Sequence, residues 1–108
     1  MQMKTLAFLF LLISTSLAPD AILGRWTNAD RSKEISLVKN GNYFSGTTDG
    51  KEILQTLVYD NGSYTGKVFL PKRNQTFPCT ITLKGNDTME IKVKAGFLSQ
   101  TKIWTRIK

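Results

Sequence analysis

The chain has 108 residues, a net charge of +7, one cysteine and no histidine, which bounds it to a single domain. Without histidine the commonest general base and metal ligand is missing, and neither a Ser-His-Asp nor a Cys-His device can be built. A lone thiol, Cys79, excludes an intramolecular disulfide and, without histidine, a structural zinc site.

The first 18 residues read as a cleavable secretory signal. Lys4 supplies the positive head, residues 6–13 (LAFLFLLI) an unbroken apolar run, and Ser16-Leu17-Ala18 the small residues a signal peptidase accepts. The run is too short to span a bilayer as a helix, so an exported chain that is not an integral membrane protein is expected, periplasmic or secreted. Lys4 is the only charge removed with it, and residues 19–108 keep a net charge of +6.

From residue 23 onward, short β-prone runs alternate with turn signals. The first run, 23–27, ends at Asn28-Ala29-Asp30-Arg31, and the second, 33–39, at Asn40-Gly41. Asn-Gly and Asp-Gly favour tight hairpins because their residues tolerate positive φ. Residues 43–48 close on Asp49-Gly50, 52–59 on Asp60-Asn61-Gly62, and 63–70 on Pro71-Lys72-Arg73-Asn74. In 75–83, Phe77, Cys79, Ile81 and Leu83 share one face, and Thr76, Pro78, Thr80 and Thr82 the other. After Lys84-Gly85-Asn86-Asp87, Met89, Ile91 and Val93 alternate with Glu90, Lys92 and Lys94, and 100–107 ends the chain. Alternation of period two means one buried and one wet face, as in antiparallel sheets.

Eight such strands with short connections predict an all-β domain over 19–108, most simply a single eight-stranded antiparallel up-and-down barrel. A two-sheet sandwich satisfies the same periodicity, which cannot register closure. Cys79, on the face of Phe77 and Ile81, is expected to be buried and inert.

Candidate chemistry is sparse. Asp30, Asp49, Asp60 and Asp87 fall at turns, where short acidic side chains make local hydrogen bonds, and no two carboxylates are placed together. The glycines are scattered and precede no helix, so they form no phosphate loop. No catalytic residue, metal or cofactor is therefore expected. Aromatic side chains interleave with lysines, but no strand carries an aromatic patch, and export argues against nucleic acid as partner. The lysines are spread along the chain at Lys33, Lys39, Lys51, Lys67, Lys84, Lys92, Lys94 and Lys102, without a block.

The segment 21–26 (AILGRW) at the start of the domain and 103–106 (IWTR) at its end resemble the exported bacterial family called domain of unknown function 2147. So do 52–54 (EIL), 66–69 (GKVF), 77–79 (FPC) and 83–91 (LKGNDTMEI) between them, and the resemblance extends over nearly all of 19–108. That family resembles the lipocalin-like (calycin) barrels, whose hallmark is a Gly-x-Trp on the first strand and an Arg near the end of the last. The resemblance implies a structural role in barrel closure for Gly24, Trp26 and Arg106, with the guanidinium stacked on the indole. The chain departs from the family in its middle: Asp49-Gly50 turns directly into the next strand, without the usual Asn-Pro and Arg-rich segment, so activity transfers less well than fold.

Two non-enzymatic functions are expected. In the first, a small apolar or amphipathic ligand binds inside the barrel, lined by Phe77, Ile81, Met89 and Ile91. In the second, the barrel is filled and its basic outer surface engages an anionic component of the cell envelope.

Overall fold

The computed structural model describes residues 19–108; the expected signal, 1–18, lies outside the described residues. A short 3-10 turn (Pro19–Ile22) leads into eight strands: β1 (Gly24–Asn28), β2 (Glu34–Asn40), β3 (Tyr43–Thr48), β4 (Lys51–Asp60), β5 (Ser63–Leu70), β6 (Gln75–Lys84), β7 (Thr88–Ala95) and β8 (Leu98–Arg106). Each pairs antiparallel with the next, and β8 returns to β1, giving a closed up-and-down barrel. Closure sets the sandwich arrangement aside.

The turns follow the local chemistry. Asp49-Gly50 and Asn61-Gly62 are two-residue loops with both φ positive, the conformation that matches the twist of the flanking strands. The second hairpin is displaced by one residue from the sequence expectation: Asn40 pairs with Tyr43, so the loop is Gly41-Asn42. A further hairpin loop, Gly96-Phe97, carries no Asn-Gly or Asp-Gly signal; Ala95 pairs with Leu98 across it, and Gly96 takes the positive φ. The last strand therefore starts at Leu98 rather than at residue 100.

Strand β4 breaks simple alternation. Pairing with β5 jumps from Gln55↔Lys67 to Val58↔Thr65, so one extra residue is accommodated at Thr56, whose φ is +46°. This bulge turns both Leu54 and Leu57 inward, three residues apart, and both are fully buried. Gly66 faces it: a Cβ there would lie 2.6 Å from the Gln55 carbonyl oxygen and 2.9 Å from that of Thr56.

Side chains fill the interior. Trp26, Tyr64, Leu54, Leu57, Ile81 and Met89 are each below 2 % exposed and form one cluster with Ile35, Leu37, Phe44, Val68, Cys79 and Ile91. Tyr64 stands edge-on to Phe44 and to Tyr59, at ring separations of 5.5 and 5.1 Å. The N-terminal turn caps one end: Ile22 is fully buried, Trp26 Nε1 donates to the Ile22 carbonyl at 2.9 Å, and Tyr64 Oη donates to that of Pro19 at 2.5 Å.

The opposite end opens. Strand β1 meets β8 over three residue pairs, from Trp26↔Arg106 to Asn28↔Trp104, so 98–103 pair with β7 alone among the described residues. On the other side, the β6–β7 register ends at Cys79↔Val93, leaving Lys94 and Ala95 paired only to β8. Residues 94–99 thus form a two-stranded ribbon without strand pairing to the barrel on either flank among the described residues.

Candidate functional site

Three regions could carry function: the closure, the interior and the outer face of β5–β8. At the closure, the Arg106 guanidinium lies over the Trp26 indole, 4.3 Å from its centroid. Its Nη1 donates to the Leu23 carbonyl at 2.7 Å, Nη2 to that of Ala21 at 2.6 Å, and Nε to that of Asn86 at 2.8 Å. Asp87 Oδ1 sits 3.7 Å from Nε. One face of the guanidinium and all three of its nitrogens are engaged within the chain, which makes this a clasp. Gly24, at φ +128°, belongs to it: a Cβ there would lie 2.8 Å from Arg106 Nη1.

In the interior the structure brings Phe77, Ile81, Met89 and Ile91 to one side of the barrel. Ile81 and Met89 are fully buried and Ile91 nearly so, all three packed in the common core. Phe77 is half-buried near the open end, with the Arg73 guanidinium 5.7 Å from its ring. Cys79 is buried beside them, and loss of solvent pushes its thiol pKa up to about 11. Desolvation first, then the neighbouring Tyr59, pushes Tyr64 up to about 12.

The outer face of β5–β8 differs in character. Register places Lys67 opposite Pro78, Thr80 opposite Lys92, Lys92 opposite Thr101 and Lys94 opposite Ser99. These residues alternate with the buried Val68, Cys79 and Ile91, so they point outward. Where β6 and β7 part, a groove of about 300 Å³ opens, lined by Pro78, Cys79, Thr80, Lys92, Lys94 and Ser99. The described ion pairs are Arg25–Glu34, Lys39–Asp20, Arg106–Asp87 and Lys108–Asp87, and none involves Lys67, Lys92 or Lys94. Glu90 stands on the same face, one row below Lys92. The groove thus combines ammonium groups that make no ion pair among the described residues with hydroxyls, a donor set suited to an oxyanion.

The family model described as "Uncharacterized protein conserved in bacteria (DUF2147)" matches residues 46–106. The chain belongs to this family. No curated protein and no solved structure matches it. The DUF2147 match runs from within β3 to the end of β8, so it includes Lys67, the groove residues and Arg106. Gly24 and Trp26 lie outside it, and the similarity is narrower than the near-complete coverage expected from the sequence motifs.

Among the described residues of this DUF2147 protein no helix is long and apolar enough to cross a membrane. The basic groove was not legible as a site from the sequence, where the lysines appear dispersed. Its signal lay in parity: Lys67 on β5, and Lys92 and Lys94 on β7, occupy the face opposite the apolar residues, with β6 between them. The register that joins them is a tertiary property.

Proposed function

We propose that this DUF2147 protein is an exported, non-catalytic barrel that associates with an anionic component of the cell envelope through the outer face of β5–β8. The observation that carries the reading is that Lys92 and Lys94 line the Thr80–Ser99 groove and Lys67 stands opposite Pro78 on the adjoining strand, none of the three in an ion pair among the described residues. Lysines left unpaired on one face attract anions, and each contributes roughly 1 kcal/mol near an anionic lipid surface. The secretory pattern of residues 1–18 supports the compartment, and the absence of histidine supports a binding role. The interior is occupied by large side chains, which favours action from outside. The competing reading, an apolar ligand within the barrel, draws on Phe77, Leu70 and Val93, which face inward yet are only half-buried.

The test compares two triple variants of equal net charge: Lys67→Gln/Lys92→Gln/Lys94→Gln, and Lys33→Gln/Lys39→Gln/Lys51→Gln on other surfaces. With phosphatidylglycerol vesicles, the first is expected to lose most of the binding and the second little. Equal losses would show that net charge, and not this face, governs association.

A further inference from the structure

We propose that the β7–β8 hairpin tip, Phe97-Leu98, is an anchor that enters the outer layer of an anionic lipid bilayer while the lysines behind it hold the headgroups. This inference rests on the surface reading above and specifies its partner as a lipid membrane.

The tip is built unlike the rest of the surface. Phe97 is 98 % exposed and Leu98 62 %, the two most exposed large apolar side chains among the described residues, and they are adjacent. A phenylalanine of this exposure leaves a large apolar area in water with no packing return. The ribbon that carries it, 94–99, has no strand partner on either flank among the described residues. A convex, narrow projection of this kind has no concave rim or fixed polar pattern with which to recognise a rigid protein surface. It suits a medium that deforms around it.

Charge is placed to match. Lys94 pairs with Ser99 one step behind the tip pair Ala95↔Leu98, Lys92 pairs with Thr101 two residues further back, and Lys102 pairs with Ile91, behind the ribbon and on the opposite face of the β7–β8 pair. At about 3.4 Å per residue these ammonium groups start roughly 3 to 14 Å behind the tip along the ribbon. Interfacial apolar groups enter to a depth of about 5–10 Å, so an inserted Phe97-Leu98 leaves Lys94 and Lys92 at headgroup level. Both faces of the β7–β8 pair thus carry exposed cations behind the tip, with Lys94 nearest to it. Lys102 also has no ion pair among the described residues. Gly96, at φ +67°, makes the turn tight enough to present Phe97 at its apex with Leu98 next to it at the start of β8.

The experiment uses protein spanning residues 19–108, which contains the whole described core and the closed barrel, in native form and as Phe97→Ser, Leu98→Ser and Phe97→Trp. Binding is measured to phosphatidylglycerol-containing and to pure phosphatidylcholine vesicles at low and high salt. Phe97 lies outside the core, so the variants keep the native unfolding midpoint, checked alongside. Phe97→Ser is expected to weaken binding to the anionic vesicles by roughly 10- to 100-fold, the scale for losing one buried aromatic side chain. Phe97→Trp is expected to retain binding and to show a blue-shifted emission with vesicles, measured as a difference against native protein containing Trp26 and Trp104. If native protein and Phe97→Ser bind equally and both are displaced by salt, the basic-face reading stands and the anchor is overturned. Absence of vesicle binding by native protein overturns both.

Discussion

The guanidinium of Arg106 covers the indole of Trp26 at 4.3 Å, and the two residues are also register partners across the first and last strands. The Arg106 side chain therefore joins the first and last strands at the base of the barrel and satisfies three backbone carbonyls, those of Ala21 and Leu23 at the N-terminal turn and that of Asn86 between β6 and β7. Arg106→Lys keeps the charge but loses the planar fork, so it cannot reach all three carbonyls while stacking on the ring. Hydrogen bonds to charged groups contribute about 1.5–3 kcal/mol each, and partners left unsatisfied add a penalty. We expect Arg106→Lys to cost roughly 2–4 kcal/mol, read as a lowered urea midpoint with an unchanged slope. A loss below about 0.5 kcal/mol, the usual range for surface changes, would remove the clasp from the account of closure.

Gly66 tests the bulge. A methyl group there meets the Gln55 and Thr56 carbonyl oxygens of β4 and the Leu57 side chain at 2.9 Å or less. Because backbone has to move, Gly66→Ala is expected to destabilise by about 2 kcal/mol, within the range for overpacking. The same substitution at Gly50, where nothing lies within 4 Å of the added carbon but φ is +77°, carries strain without collision and should cost less. Chemical denaturation of both variants gives the ranking, and the reverse order would show that β4 adapts freely.

The buried thiol and phenol set the alkaline limit. Burial raises Cys79 to about 11 from 9.0, and Tyr64 to about 12 from 10.0. Groups raised on folding contribute stability that is fully present below their unfolded pKa and lost as pH rises through the folded one. Stability should therefore fall from about pH 9 through 11 as Cys79 ionises, and from about pH 10 through 12 as Tyr64 does and gives up its hydrogen bond to Pro19. In Cys79→Ala the part of the decline that starts at pH 9 should vanish. A thiol-specific reagent at neutral pH should label native Cys79 slowly and unfolded protein fast. Rapid native labelling would place the thiol on the outer face, one residue out of register.

The architecture was largely legible because it is set locally. Asp49-Gly50 and Asn61-Gly62 fix two hairpins by backbone preference alone, and the alternation in 75–83 and 89–93 fixes which residues enter the core. Two elements were not legible for physical reasons. Leu57 escapes the alternation because the bulge at Thr56 depends on Gly66 across the strand pair, a contact remote in sequence. The Gly96-Phe97 loop lacks the residue types that mark a tight turn, so the most exposed aromatic sat in an unassigned stretch. The candidate site was hidden similarly: Lys67 is separated from Lys92 and Lys94 by an entire strand, and only the β5–β6–β7 register makes them neighbours.

The central claim is that this protein works from its outer face, with its interior occupied by its own side chains. Titration of residues 19–108 against a fluorescent fatty-acid probe and against phosphatidylglycerol vesicles, each at low and high salt, tests it most directly. Charges on the surface are screened beyond roughly 8 Å at about 0.15 M salt, whereas contacts inside an apolar cavity are not. The account predicts vesicle binding that fades as salt rises, with no saturable uptake of the probe. Saturable probe uptake that is insensitive to salt and lost in Phe77→Ala, with no vesicle binding, would contradict it and return function to the barrel interior.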